Sequence, residues 1–167
     1  MAKKGRYPVG VQTFDRVITD HCLYVDKTDY VYKVASSSSQ YFFLSRPRRF
    51  GKSLFIYTLK AYFEGRKELF KGLAIDKLEK EWIKYPVIRI DMSQGKYFNL
   101  ENSLKTMDYI LELQETPYGI STAEKDRMLF NRRLTHLIQT AYQKTGRKVV
   151  VLIDEYDAPM LDSIHKP

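Results

Sequence analysis

The sequence predicts an α/β fold with three layers, α/β/α, in which helices cover both faces of a mostly parallel sheet. Apolar runs alternate with helix-like segments along the chain, an order typical of parallel βαβ units. Three runs, at residues 40–45, 87–91 and 148–154, are short and continuous enough to be strands buried on both faces. An arginine-rich loop leads from the first run into a helix, where open α/β sheets bind ligands.

The composition fits one folded domain. The chain has 167 residues, of which 44% are hydrophobic and 14% aromatic, whereas disordered chains carry far fewer such residues. No apolar run approaches the ~20 residues that a membrane helix needs, and no signal peptide is predicted. The single cysteine, Cys22, favours a reducing, cytoplasmic location. The net charge of +8 is compatible with nucleic acid, with phosphorylated small molecules or with a solvated surface beside a phosphate site.

The region before the first strand run predicts two short helices. Thr13 is the expected N-cap of a helix that reaches Thr19, and residues 23–25 are a short strand candidate. Residues 26–29 predict the start of a second helix, which ends at the serine turn 36–39. We expect residues 1–39 to pack as an N-terminal segment on a core formed by residues 40–167.

The remaining helices are predicted from caps and apolar spacing. One begins near Lys52 and ends at Gly65, and short helical pieces are expected at 68–72 and 77–84. Asn99 predicts the N-cap of another. Two apolar stripes are expected to face the core: Leu100, Leu104, Met107 and Leu111 on one helix, and Phe130, Leu134, Leu137, Ile138 and Ala141 on the next.

Residues 46–53 predict a phosphate-binding loop of degenerate form. The usual signature has a glycine five residues before Gly51, where this chain has Arg46. Backbone N–H groups and the following helix N-terminus would bind phosphates, with Lys52 neutralising charge and Ser53 placing its hydroxyl on Mg²⁺. A chance Gly-Lys-Ser at a helix start is the alternative. The predicted nucleotide-binding residues are Arg48, Arg49, Phe50, Gly51, Lys52, Ser53 and Leu54.

The last strand run ends in two carboxylates. Asp154 is expected to hold Mg²⁺ together with Ser53, and Glu155 to orient and deprotonate an attacking water. The alternatives are a capping role for Asp154 and no hydrolytic role for Glu155. Asp91 also ends a strand, where it could reach the site or cap a helix. The phosphate-binding loop at residues 46–53 and the acidic end of the last strand together predict a P-loop NTPase-like fold.

These motifs resemble the bacterial AAA-ATPase-like family. The resemblance rests on Leu-Tyr-Val-Asp-Lys-Thr at 23–28, Arg-Pro-Arg-Arg-Phe-Gly-Lys-Ser at 46–53 and Leu-Ile-Asp-Glu-Tyr-Asp-Ala-Pro at 152–159. It implies a P-loop ATPase-like fold with ATP and Mg²⁺ as cofactors. It also implies that an ATPase domain continues beyond this chain, so the domain is expected to be incomplete after the acidic strand end. A PD-(D/E)XK nuclease-like domain often follows in such proteins.

Three functions stay open from the sequence. The chain is expected to be the Mg-ATP-binding module of a P-loop ATPase that hydrolyses nucleoside triphosphates in the complete protein. The alternatives are a non-catalytic nucleotide-sensing or protein-interaction module, and a nucleic-acid-associated ATPase coupled to a downstream nuclease-like domain. No base-reading motif supports nucleic-acid binding. Because the domain is expected to be incomplete, one edge of its sheet is expected to be unpaired, and such an edge predicts self-association of the chain.

Overall fold

The chain forms two compact units that meet in sequence between Lys84 and Tyr85. The computed structural model describes residues 5–45, 47, 49–95, 97, 99–121 and 129–164. The mixed α/β class is confirmed, with helices in both units and a two-stranded parallel sheet in the C-terminal unit. In the described ranges, no helix is long and apolar enough to cross a membrane.

The N-terminal unit is helical. Its helices are α1 (Phe14–Thr19), α2 (Thr28–Ala35), α3 (Lys52–Phe63) and α4 (Ala74–Leu78), with a 3₁₀ turn at Lys67–Phe70. The first three confirm the sequence predictions. The aromatic side chains at the centre of the core touch one another: the ring of Phe70 lies 4.9 Å from that of Phe14 and 5.2 Å from that of Trp82. Val17, Val31 and Ile75 of the same unit are also fully buried.

Two side chains at the start of α2 tie this helix to α4. Asp26 accepts hydrogen bonds from the backbone and hydroxyl of Thr28 through one carboxylate oxygen, and from the backbone N–H of Ala74 through the other. The Thr28 hydroxyl in turn accepts from the N–H of Ile75 at 3.1 Å. The N-termini of both helices are therefore satisfied by the same pair of residues, which explains their role in the structure.

The prediction of a buried strand at residues 40–45 is wrong. These residues form no ladder, and the side chains of Tyr41 and Phe43 are 87% and 71% exposed. An extended segment needs a neighbouring strand for its backbone N–H and C=O groups. Within the described ranges, strand pairing occurs only between residues 87–91 and 150–154, apart from one bridge between Arg6 and Cys22.

Two smaller predictions in the N-terminal unit are also wrong. Residues 23–25 form no strand, and the helix expected at 77–84 is the earlier α4, which ends at Leu78. The Glu79 carboxylate accepts hydrogen bonds from the N–H groups of Lys80 and Glu81. The side chain thereby takes the backbone donors that a continuing helix would use.

The C-terminal unit contains the sheet. Its elements are β1 (Val87–Asp91), α5 (Leu100–Glu115), α6 (Phe130–Thr145), β2 (Val150–Asp154) and α7 (Ala158–Ile164), with 3₁₀ turns at Met92–Gln94 and Thr116–Tyr118. Strands β1 and β2 are parallel, with Val87 opposite Val150 and Asp91 opposite Asp154. The predicted parallel pairing is confirmed, and it places the two terminal carboxylates at the same end of the sheet.

One face of β1 forms the core of this unit. Ile88 and Ile90 are buried against Ile110 and Leu111 of α5 and Leu137 of α6. The apolar stripe predicted on α6 is confirmed, because Leu137 and Ala141 are fully buried and its other members pack against the core. Asn99 caps α5 as predicted, accepting from the N–H of Asn102 at 2.8 Å.

The stripe predicted on α5 is wrong in its first half. Leu100 and Leu104 are 76% and 57% exposed, and only the second half of α5 enters the core. There a buried ion pair joins α5 to α6. The Glu115 side chain is 1% exposed and receives two hydrogen bonds from Arg133, which also contacts Asp108. The spacing of apolar residues predicted one face of α5, but it did not show that the core covers only the second half of that helix.

Candidate nucleotide-binding site

The loop before α3 has two left-handed residues around Phe50. Arg49 has a φ of 66° and Gly51 a φ of 74°, whereas Phe50 between them does not adopt a positive φ. Neighbouring left- and right-handed residues, such as Gly51 and the helical Lys52, turn successive backbone N–H groups toward one side, which makes a concave anion-binding surface. A left-handed conformation costs a non-glycine residue ~1–2 kcal/mol. At Arg49 this strain lies in the segment that the sequence predicts to bind phosphate.

The N-terminus of α3 adds further donors. Gly51 is the N-cap residue and offers no side-chain acceptor, and the first bond of the helix runs from the N–H of Phe55 to the Gly51 carbonyl at 3.0 Å. The N–H groups of Lys52, Ser53 and Leu54 thus precede the first intrahelical donor. They also lie at the positive end of the helix dipole. Such a terminus attracts an anion.

The structure brings most of the predicted nucleotide-binding residues into one turn. Lys52, Ser53 and Leu54 are half-buried in the first turn of α3, and Gly51 is exposed at its cap. The N–H of Phe50 donates to the Pro47 carbonyl at 3.4 Å, a long bond across the turn, and its ring is exposed. Arg46 and Arg48 lie outside the described residues.

Asp154 and Glu155 end the second strand of the sheet. The Asp154 side chain is only 5% exposed, and its Oδ1 accepts from the N–H of Glu155 at 3.1 Å. Glu155 has a φ of 49°, so the chain turns sharply through a left-handed residue directly after β2. Strain of this kind in a non-glycine residue often accompanies a functional site.

Arg89 lies between the carboxylates that end the two strands, Asp91 of β1 and Asp154 of β2. Its Nη2 is 2.9 Å from Oδ2 of Asp91 and 3.4 Å from Oδ2 of Asp154. Side chains at alternate positions of a strand share one face. Arg89 and Asp91 therefore lie on the same face of β1, opposite Ile88 and Ile90. Arg89 is not among the site residues that the sequence predicts, although a charged residue two positions before Asp91 in an apolar strand is a usable signal.

Asp91 has the capping role that the sequence left open. Its Oδ1 accepts from the N–H and the hydroxyl of Ser93, at 3.0 and 2.7 Å. Burial by itself would raise the pKa of Asp91, but the hydrogen bonds from Ser93 and the charge of Arg89 outweigh burial and lower the pKa below its ordinary value. Asp91 therefore remains a carboxylate at neutral pH.

Asp154 and Ser53 each carry an oxygen donor of the kind that Mg²⁺ accepts. In the described part of the chain, no group of three or more His, Cys, Asp or Glu side chains could hold a metal ion. Mg²⁺ commonly uses one or two carboxylates and completes its octahedron with phosphate oxygens and water. A buried carboxylate such as Asp154 and a hydroxyl such as that of Ser53 are hard oxygen donors of that kind. Ser53 belongs to the N-terminal unit and Asp154 to the C-terminal unit.

Comparison with known proteins decides the family. A family model described as AAA-ATPase-like, predicted AAA-ATPase, matches residues 8–167. The chain belongs to the AAA-ATPase-like family. This membership confirms the resemblance seen in the sequence and supports a nucleotide-binding, ATPase-like module.

A curated relative adds information about length. The chain is 36% identical over 168 aligned residues to a protein of Azotobacter chroococcum mcd 1 described as the uncharacterized protein in vnfD 5'region. The alignment covers 100% of this AAA-ATPase-like chain and 32% of the relative. The chain thus spans about a third of that protein's length. No solved structure gives a significant match.

Proposed function

We propose that this chain binds Mg-ATP through the loop before α3 and forms part of a P-loop ATPase that hydrolyses ATP in the complete protein. The observation that carries the proposal is the left-handed pair Arg49 and Gly51 directly before a helix N-terminus. A backbone of this shape directs N–H groups at an anion, and a triphosphate is the anion that a following Lys-Ser suits.

Each residue of the loop has a separate role in this proposal. The N–H groups of the first turn of α3 bind the β- and γ-phosphates, while the Lys52 ammonium neutralises their charge. The Ser53 hydroxyl is a ligand of Mg²⁺. Gly51 has a φ of 74°, a left-handed conformation that glycine adopts without steric cost, and this lets the loop backbone approach the phosphates closely.

The acidic strand end has the complementary role. Mg²⁺, when bound, supplies charge neutralisation to the phosphates. Asp154 would hold the metal, directly or through a water, and Glu155 would orient the attacking water and accept its proton. We propose for the complete domain the three-layer P-loop architecture with a mostly parallel sheet, in which strand ends of this kind bind ligands.

Calorimetric titration of Mg-ATP tests the loop assignment. Lys52→Ala should weaken binding at least about tenfold, because a hydrogen bond to a charged group contributes ~1.5–3 kcal/mol. Lys60→Ala is the matched control: Lys60 lies on the same helix, and its ammonium pairs with Glu64 at 2.7 Å instead. It should bind Mg-ATP as the wild type does. Wild-type affinity in Lys52→Ala would show that the loop does not hold the phosphates.

A phosphate-release assay separates catalysis from sensing. Steady release of phosphate by the wild type that is lost in Lys52→Ala supports an ATPase. Binding without release supports the non-catalytic nucleotide-sensing alternative for this chain. A nucleic-acid-associated role predicts DNA or RNA binding that falls steeply as salt rises, because phosphate contacts release counterions. No binding at low salt would exclude it for this chain.

A further inference from the structure

We infer that Arg89 is a resident counterion of Asp154 which a bound divalent cation displaces, and that Asp91 keeps Arg89 paired after the displacement. The inference rests on the proposed function, since it takes Asp154 as the carboxylate that holds Mg²⁺. It assigns roles to two residues, Arg89 and Asp91, that the phosphate-loop and strand-end motifs do not include.

The two oxygens of Asp154 are not equivalent. Oδ1 accepts from the N–H of Glu155 at 3.1 Å, so the backbone turn after β2 holds this oxygen. Oδ2 faces Nη2 of Arg89 at 3.4 Å. A carboxylate oxygen can accept more than one bond, but the backbone N–H already occupies part of Oδ1, so Oδ2, the oxygen that Arg89 contacts, is the one more open to a cation held directly or through a water. Metal and guanidinium compete for the same atom.

Arg89 is shared unequally between the two carboxylates. Its Nη2 is closer to Oδ2 of Asp91, at 2.9 Å, than to Oδ2 of Asp154, at 3.4 Å. The Asp91 carboxylate is itself fixed through Oδ1 by two hydrogen bonds from Ser93. Asp91 is therefore a firm partner, and Arg89 makes its longer and weaker contact with the carboxylate that has to accept a metal.

The three charged side chains of this cluster are largely buried. The side chains of Arg89, Asp91 and Asp154 are 11%, 14% and 5% exposed. Water does not solvate these charges well, and an unpaired buried charge is strongly destabilising. Before a cation binds, the single positive charge of Arg89 is shared by the two carboxylates, which leaves one negative charge for a cation to neutralise. After it binds, the metal compensates Asp154 and Asp91 compensates Arg89.

The same contacts could instead be a structural tie between β1 and β2, and the two roles predict different results. Removal of a purely structural tie would loosen the strand end and leave metal binding unchanged or weaker. Removal of a competitor strengthens metal binding. Arg89 is accordingly a positioning residue, and the sign of the change in metal dependence identifies its role.

The measured quantity is the ratio of ATP affinity in excess Mg²⁺ to ATP affinity in EDTA, obtained by calorimetry. Arg89→Gln should raise this ratio about fivefold or more, because close, poorly solvated charge pairs couple strongly. Arg147→Gln is the matched control, since Arg147 is an exposed arginine of the same unit and its loss removes the same charge. Its ratio should stay within about twofold of wild type. In an Asp154→Asn background, Arg89→Gln should no longer raise the ratio.

Asp91→Asn provides a second variant with the opposite sign. It leaves Asp154 as the only carboxylate of the pair for Arg89, so the ratio should fall; an unchanged or raised ratio overturns the inference. This variant decides the matter if thermal melting shows that Arg89→Gln does not fold. An unchanged or lower ratio in a folded Arg89→Gln overturns the inference and leaves the proposed function standing. A wild-type ratio in Asp154→Asn overturns both, because Asp154 would then not hold the metal.

Discussion

Asp26 and Ala74 are 48 residues apart in sequence, yet the Asp26 carboxylate accepts a 2.7 Å hydrogen bond from the backbone N–H of Ala74. Its other oxygen accepts from the backbone and hydroxyl of Thr28. One carboxylate thus satisfies donors at the starts of two helices, α2 and α4. This contact defines how the two helices are joined in the N-terminal unit.

Replacing Asp26 by asparagine should lower the free energy of unfolding at pH 7 by about 1 kcal/mol, because the amide keeps one acceptor oxygen but its NH2 group cannot accept the second set of hydrogen bonds. We place the loss at this modest value because Asp26 is exposed and solvent screens its charge. Urea denaturation measures the change. Asp29→Asn, which removes an exposed pair with Lys33, is the control and should change the free energy by less than ~0.5 kcal/mol.

The Asp26 contribution should also depend on pH. Burial would raise the pKa of Asp26, but the hydrogen bonds from the backbone of Thr28 and Ala74 and from the Thr28 hydroxyl outweigh burial and lower it. A lowered pKa in the folded state stabilises the fold above the unfolded-state value of ~3.9, and this stability is lost as the pH falls through the folded-state value. The difference between wild type and Asp26→Asn should be constant from about pH 5 to 8 and shrink below about pH 4. A difference that persists unchanged at low pH would contradict the assigned hydrogen bonds.

Breaking the buried ion pair between α5 and α6 should destabilise the C-terminal unit strongly. Glu115→Gln leaves Arg133, whose side chain is 8% exposed, without its main counterion. We expect a loss of ~3–5 kcal/mol, because removal of one partner leaves a buried charge uncompensated. Lys105→Ala on the same helix breaks an exposed pair with Glu101 and should cost at most ~0.5 kcal/mol. Similar values for both variants in thermal or urea unfolding would mean that burial does not govern this pair.

Gly51→Ala should distinguish a role of the loop backbone in ATP binding from the general loss of stability that a strained backbone causes. Gly51 and Gly10 have nearly equal φ values, 74° and 73°, and a Cβ on either one meets no atom within 4 Å. Alanine at either position should therefore cost a similar ~1 kcal/mol of stability. Only Gly51→Ala should also weaken Mg-ATP binding in calorimetry, because only that residue shapes the proposed phosphate site. Equal ATP affinity in the two variants would argue against backbone recognition of phosphate.

Glu155→Gln should preserve Mg-ATP binding and abolish turnover in the complete protein. Glutamine keeps the size and the left-handed backbone position but cannot accept a proton from water. Single-turnover phosphate release measures the loss, and calorimetry checks that affinity stays within about twofold of wild type. Asp157→Asn, an acidic residue two positions further along the same turn, is the control and should keep full turnover. Hydrolysis at the wild-type rate in Glu155→Gln would remove Glu155 from the catalytic role.

Local chemistry in the sequence was enough to predict much of this fold. Asn99 predicted the start of α5, the apolar stripe predicted α6, and the apolar run ending at Asp154 predicted β2. Caps and periodicity are readable in the sequence because they depend on a few neighbouring residues. The parallel pairing of β1 with β2 followed from the helices between them. The Gly-Lys-Ser at a helix start likewise predicted the loop before α3. The left-handed conformations of Arg49 and Gly51 in that loop became visible only in the structure.

Tertiary structure alone decided the features that depend on distant partners. Residues 40–45 have the apolar composition of a buried strand, but a strand forms only where a neighbour accepts its hydrogen bonds. The exposure of Leu100 and Leu104 was invisible for a similar reason, since periodicity marks a face but not the part of the helix that a core covers. Three contacts connect side chains to groups on other elements. Asp26 accepts from the backbone of Ala74, Glu115 pairs with Arg133, and Arg89 is shared between Asp91 and Asp154. The sequence by itself predicted which groups are candidates to bind phosphate and metal, and the folded chain determined which charges lie beside them, because burial and pairing arise only when separate elements pack.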